Sequence, residues 1–284
     1  MIDNQIPVTV NQKIRKTVLY IRKKKGIEKL VALAAYTAPM AKKIDQYVDM
    51  ILVGDSLGMV LYGLSSTLPV TLDMMIMHAS AVVRGSSEAF VVVDLPFGSY
   101  QKSPGEAFQA AVQILSHTGA QAVKLEGGSE MAETVYFLTQ RGIPVLGHIG
   151  LMPQKINIFG NYGVQGIQHN DGQKILDDAI SLETAGAFSL VIECTAERIS
   201  QKITNTLSIP VVGIGASPFC DGQILVLSDI LGMGGDQVPR FVKQYAHLGN
   251  EIERAVSDYA NEVRNGEFPK LENCYDIKKT KEKS

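Results

Sequence analysis

Six ionisable side chains of this sequence sit at or near the ends of apolar runs. Asp55, with Ser56 beside it, follows Ile51-Leu52-Val53-Gly54, and Asp94 closes Phe90-Val91-Val92-Val93. Lys124 and Glu126 lie in Ala122-Val123-Lys124-Leu125-Glu126, His148 ends the run from Ile143, and Glu193 ends Ser189-Leu190-Val191-Ile192. Two aspartates and a glutamate, with one histidine and no cysteine among them, favour a hard oxygen-ligated cation such as Mg²⁺ over zinc. A lysine beside them suits an anionic substrate such as a carboxylate. A further glutamate, its pKa raised by desolvation, suits a general base. A metal that polarises a carbonyl next to such a base points to proton abstraction α to that carbonyl. Ser56 has no base partner in the pattern, which ranks acyl transfer low.

Each residue also has a structural reading. Asp55, Asp94 and Glu193 are placed to cap the helices that follow, and His148 beside Gly147 fits a core histidine bonded to backbone. Lys124 and Glu126 fit a buried ion pair. They stand two apart on a strand, so both project to one face. What favours function is the joint pattern, because five successive strands end in ionisable groups.

The elements that must position these groups alternate regularly. Unbroken apolar runs read as strands buried on both faces, as a parallel sheet requires. The predicted strands are Leu30 to Ala35, Met50 to Gly54, Phe90 to Asp94, Ala122 to Glu126, Ile143 to His148, Ser189 to Glu193, Ile209 to Gly215 and Ile224 to Leu227. Helices are expected between them, over Pro39–Asp45, Leu72–Arg84, Ser129–Arg141, Gln173–Ala185 and Ala196–Asn205. One more starts at a capping box, Ser103-Pro104-Gly105-Glu106, and stops at Gly119. Gly58 to Pro69 and Gly150 to Asn170 read as long loops. Eight strands alternating with helices predict a single (β/α)₈ TIM barrel, which gathers the strand ends on one face. A doubly wound sheet is the rival, but its glycine-rich turn is missing after the first strand.

The expected boundaries are an N-terminal helical cap over 1–28, the barrel over 29–237, a C-terminal helical extension over 238–268 and a polar tail over 269–284. A helix is expected from Val10 to Lys25, with Arg22-Lys23-Lys24-Lys25 as a solvated end. An apolar stripe through Phe241, Val242, Tyr245, Leu248, Ile252, Val256 and Tyr259 must be buried, on this chain's barrel or a neighbour. A net charge of −2 gives no footprint for nucleic acid, and no apolar segment reaches membrane-spanning length. With 45% hydrophobic residues, three unpatterned cysteines and no signal-peptide pattern, the expectation is a folded, reduced, cytoplasmic protein.

Several ordered blocks resemble ketopantoate hydroxymethyltransferase. They are Val53-Gly54-Asp55-Ser56-Leu57-Gly58-Met59, Ser66-Thr67-Leu68-Pro69-Val70-Thr71, Asp94-Leu95-Pro96-Phe97 and Val123-Lys124-Leu125-Glu126-Gly127-Gly128. Gly147-His148-Ile149-Gly150-Leu151, Asn157-Ile158-Phe159-Gly160 and Asp221-Gly222-Gln223-Ile224-Leu225-Val226 complete the set. The resemblance implies a metal-dependent (β/α)₈ enzyme of pantothenate biosynthesis. It would transfer a hydroxymethyl group from methylenetetrahydrofolate to 3-methyl-2-oxobutanoate, giving 2-dehydropantoate. Carried over by motif, Asp55 and Asp94 match the direct Mg²⁺ ligands and Glu126 a carboxylate of the metal site. Glu193 matches the base, Ser56 and Lys124 match substrate contacts, and His148 matches a histidine near the substrate. A large homo-oligomer, typically a decamer, is implied as well.

The chain departs from the family pattern at Thr37, Leu64, Ser65, Met152, Ser217 and Ser228, none of them a matched ligand or base. Two other readings compete. A phosphoenolpyruvate mutase/isocitrate lyase-type enzyme would carry a Lys-Lys-Cys-Gly-His motif, which is missing here. A non-catalytic paralogue is motivated by the departures and opposed by the intact Asp55, Asp94, Glu126 and Glu193.

Overall fold

Runs such as Met-Ile-Leu-Val at Met50–Val53 have no polar face to turn to solvent, so they are stable only inside a sheet covered on both sides. The computed structural model, which describes residues 15–234 and 238–275, resolves this as a closed barrel of eight parallel strands in chain order. After α1 (Val18–Lys23) come β1 (Leu30–Ala34), α2 (Ala38–Ile44), β2 (Met50–Val53), α3 (Leu57–Val60) and α4 (Leu72–Gly85). Next are β3 (Phe90–Asp94), α5 (Pro104–Thr118), β4 (Ala122–Glu126), α6 (Ala132–Thr139), β5 (Val145–Gly150) and α7 (Ile156–Phe159). Then follow α8 (His169–Thr184), β6 (Ser189–Glu193), α9 (Glu197–Thr206), β7 (Val211–Ile214), β8 (Gly222–Val226), α10 (Leu227–Ile230) and α11 (Leu248–Arg264). The TIM-barrel expectation holds, and β8 closes the sheet on β1 from Leu30↔Gly222 to Ala34↔Val226.

The differences from the sequence reading have local causes. Strand β5 begins at Val145, one residue past Pro144, which has no N–H for the ladder, and it runs on to Gly150. Ser103 Oγ accepts the Glu106 amide at 3.2 Å as the capping box requires, but the Glu106 carboxylate pairs with Lys102 Nζ at 2.6 Å instead. The expected loop after β2 contains the short helix α3, and the loop after β5 contains α7. Helix α1 starts at Val18, and the part of the predicted helix over residues 10–14 lies outside the described residues. Its basic end is not simply solvated: Lys24 Nζ meets Asp49 at 2.9 Å and Lys25 Nζ meets Asp221 at 2.7 Å. Those aspartates precede β2 and β8, so α1 is latched to the N-terminal ends of the strands, opposite the end that carries the site.

The chain folds as two compact units. The first holds the barrel, up to Leu227, together with Pro239–Val242; the second comprises Ser228–Val238 and the chain from Lys243 onward. The extension is less helical than its pattern implies. Helix α11 begins only at Leu248, and Phe241 packs its ring where a Cβ on Gly215 would come within 2.8 Å, a tertiary contact that overrides the local periodicity. In the second unit, α11 buries none of its residues and exposes Ile252, Val256, Tyr259 and Val263 along one side. Among the described residues, no helix is long and apolar enough to cross a membrane.

Candidate active site

Parallel register assembles the site. Asp94 at the end of β3 stands beside Lys124 on β4, Glu126 stands beside His148 on β5, and Gly150 stands beside Glu193 on β6. Asp55 follows β2 by two residues, and its N–H donates to Asp94 Oδ2 at 3.0 Å. A Cβ at Gly54 would come within 2.8 Å of Ser56 Oγ, so glycine here leaves room for that hydroxyl. Gly150 plays the same part across the barrel. At φ +84° it adopts the left-handed region, and a Cβ there would overlap Thr195 Oγ1 and the Glu193 carbonyl. Directly after Glu193, Cys194 holds φ +40°, a conformation costly for a non-glycine residue that turns the chain sharply off β6.

Asp55, Asp94, Lys124, Glu126 and His148 are all buried, and Glu193 is half-buried. Lys124 Nζ lies 3.1 Å from both Asp94 Oδ1 and His148 Nδ1. Its ammonium can donate to Nδ1, which places the imidazole proton on Nε2, 3.3 Å from Glu193 Oε2. Burial, then the charge of Lys124, lowers the His148 pKa, so the ring is neutral at physiological pH. Among the described residues, neither Asp94 Oδ1 nor His148 Nε2 has a partner in hydrogen-bond geometry, although each lies within ion-pair distance of one. They are buried polar atoms aimed into the site and not satisfied by the protein alone.

The charge balance points the same way. Four carboxylates face one ammonium. Burial and the neighbouring Asp94 raise the Asp55 pKa, and burial raises that of Glu126 despite Lys124. Lys124 is held ionised by Asp94, Glu126 and Asp55 against the opposing effect of burial. A cluster this negative fits a bound cation. Among the described residues, no three His, Cys, Asp or Glu side chains close into a metal cage.

The structure therefore brings all seven sequence-predicted residues to one end of the barrel. Ser56, at the start of α3, meets the Tyr36 hydroxyl at 2.8 Å. Three contributors escape sequence reasoning. Gln154, just past β5, donates from Nε2 to Asp55 Oδ2 at 2.8 Å and from its backbone N–H to Glu126 Oε2 at 3.0 Å. Tyr100, from the loop after β3, accepts the Glu126 N–H at 3.1 Å. Tyr162, from the loop before α8, is exposed, and burial and then the charges of Glu193, Asp55 and Glu126 raise its phenol pKa. Gln154 and Tyr100 lie in turns with no apolar period, and only their position after strand ends could have flagged them.

The profile of the family described as ketopantoate hydroxymethyltransferase matches residues 15–271. A protein of Bordetella petrii named 3-methyl-2-oxobutanoate hydroxymethyltransferase is 64% identical over 93% of this chain and 96% of its own. Others of that name from Sinorhizobium medicae and, numbered 1, from Burkholderia lata are 56% and 55% identical, each covering at least 90% of both chains. Among solved structures, a phosphonopyruvate hydrolase complex with oxalate and Mg²⁺ superposes with a TM-score of 0.59 at 13% identity, over 91% of this chain and 93% of that one. A 2,3-dimethylmalate lyase of the PEP mutase/isocitrate lyase superfamily gives 0.57 at 14% identity, over 88% and 89%. At such identities the structural matches speak to the fold alone.

Proposed function

The chain belongs to the ketopantoate hydroxymethyltransferase family, and from that premise we propose that it moves a hydroxymethyl group from methylenetetrahydrofolate to 3-methyl-2-oxobutanoate, giving 2-dehydropantoate for pantothenate biosynthesis. The observation that carries this reading is the paired, buried Asp55 and Asp94 beside Lys124, with Glu193 facing them across His148.

Asp55 and Asp94 would hold Mg²⁺, with Glu126 at the edge of its shell. When bound, the ion supplies Lewis-acid polarisation of the 2-oxo acid, which makes its C3 proton more acidic. Lys124 offers positive charge to the substrate's carboxylate, and Ser56, braced by the Tyr36 hydroxyl, offers it a hydrogen bond. Glu193 takes the proton from C3. His148, neutral and with Nε2 at 3.3 Å from Glu193 Oε2, leaves that carboxylate its charge. C3 then forms a bond to the folate-borne methylene carbon as the first of that carbon's two carbon–nitrogen bonds breaks. Water displaces the second nitrogen and supplies the hydroxyl oxygen, and the C3 proton and the water's spare proton end on the two folate nitrogens. Holding both reactants in one barrel mouth supplies much of the entropic advantage.

The test is turnover. The protein with Mg²⁺, methylenetetrahydrofolate and 3-methyl-2-oxobutanoate should form 2-dehydropantoate, and chelation of the metal should stop it. A folded protein inert under these conditions would remove the proposal.

A further inference from the structure

Gln154 hydrogen-bonds to two carboxylates of the cluster, Asp55 and Glu126, and the reaction as written leaves it without a role. Its side chain is buried, and every hydrogen-bonding position on it is used. Nε2 donates to Asp55 Oδ2 at 2.8 Å and to the Leu95 carbonyl at 3.0 Å. Oε1 accepts from the Tyr100 hydroxyl at 2.7 Å and from Gln101 Nε2 at 3.0 Å. The Tyr100 hydroxyl accepts the Glu126 N–H at 3.1 Å, and for its own proton the Gln154 Oε1 at 2.7 Å is a closer acceptor than the Glu126 carbonyl at 3.2 Å. Two acceptors on one end of the amide and two donors on the other leave a single orientation. A flipped amide would set like against like at Asp55, Leu95 and Gln101.

The consequence falls on Asp55. One of its oxygens is taken by a neutral donor of fixed direction, which fixes the plane of the carboxylate and leaves the other oxygen for a cation. A lysine in this place would have cancelled the charge the cation needs, whereas an amide orients the carboxylate and leaves the charge intact. The backbone N–H of the same residue holds Glu126 Oε2, so one short segment after β5 sets the relation between two carboxylates from different strands. Groups bonded to the outside of a metal's ligands commonly govern affinity by about 10–100-fold.

We propose that Gln154 is a positioning residue that orients Asp55 for Mg²⁺ and thereby sets the metal affinity of the site. This rests on the metal assignment made above, and the experiment separates the two. Mn²⁺, used as a spectroscopic substitute for Mg²⁺, is titrated into the full chain and free ion is read by electron paramagnetic resonance. Gln154→Met keeps the length of the side chain and removes both ends of the amide. It should raise the Mn²⁺ dissociation constant about 10–100-fold, and excess Mg²⁺ should restore most of kcat. A merely structural role would not give that rescue. Tyr100→Phe removes the hydroxyl that donates to the amide oxygen, so it should shift the constant the same way by less; it also serves if Gln154→Met fails to fold. A wild-type dissociation constant in the folded variants, or an activity loss that excess Mg²⁺ does not repair, overturns the role of Gln154 alone. Failure of the unaltered protein to bind Mn²⁺ overturns both readings.

Discussion

The two oxygens of Asp94 have different surroundings: Oδ2 accepts the Asp55 N–H, and Oδ1 lies beside Lys124 without hydrogen-bond geometry. An aspartate so placed links the substrate-facing ammonium to the metal-facing carboxylate, and its replacement should disturb both. Asp55→Asn and Asp94→Asn are each expected to weaken Mg²⁺ binding by about tenfold or more, since affinity at such sites follows ligand charge. Asp94→Asn should also weaken binding of the 2-oxo acid, because Lys124 loses its partner. Calorimetric titration of metal and of substrate checks both statements, and wild-type affinities in both variants would contradict the ligand assignment. Most of these residues were legible in the sequence because a charged residue inside an apolar run has few reasons to be there. Gln154, Tyr100 and Tyr36 were not, since an amide or a phenol in a turn is unremarkable until the fold brings it against a buried carboxylate.

At the scale of elements, strands carried their own signal and turns did not. β3, β4 and β6 run over the residues their apolar patterns predict, because burial on both faces leaves no alternative pairing surface. The C-terminal extension expected over 238–268 becomes helical only at Leu248, and Phe241 packs against Gly215 before it. Asp45, at the C-terminal end of α2, shows how much a turn can hide. Its carboxylate accepts the N–H groups of Ser87 at 2.7 Å, Glu88 at 3.1 Å and Ala89 at 2.9 Å, pinning the turn that leads into β3 and so to Asp94. Burial pushes its pKa up, but these bonds outweigh it and hold the pKa below the usual value. The stabilisation is therefore present in full above the unfolded carboxylate value, near 3.9, and is lost as pH falls through the lower folded value. Asp45→Ala should cost roughly 1–3 kcal/mol for the buried Ala89 amide alone. Denaturant melts of both proteins should differ by that much at pH 6, and the gap should narrow as pH falls below the unfolded carboxylate value. A gap that persists at low pH would place the stabilisation elsewhere.

For the whole molecule, two claims remain, of assembly and of activity. The exposed Ile252, Val256, Tyr259 and Val263 on α11 form an apolar stripe of the kind that association covers. In line with its family we propose a homo-oligomer, up to a decamer, with this stripe at a subunit boundary. Light scattering should give several times the mass of one chain, and truncation after residue 237 should break the assembly or the fold. A folded, active monomer at micromolar concentration would contradict this without touching the chemistry. The chemistry stands or falls on Glu193, and its most direct measurement is exchange of the C3 proton of 3-methyl-2-oxobutanoate with deuterium from solvent, followed by nuclear magnetic resonance in the presence of Mg²⁺ and without folate. The unaltered protein should catalyse exchange, and Glu193→Gln should bind the 2-oxo acid yet lose exchange by about 10²–10⁴-fold. Undiminished exchange in Glu193→Gln would show that another group takes the proton.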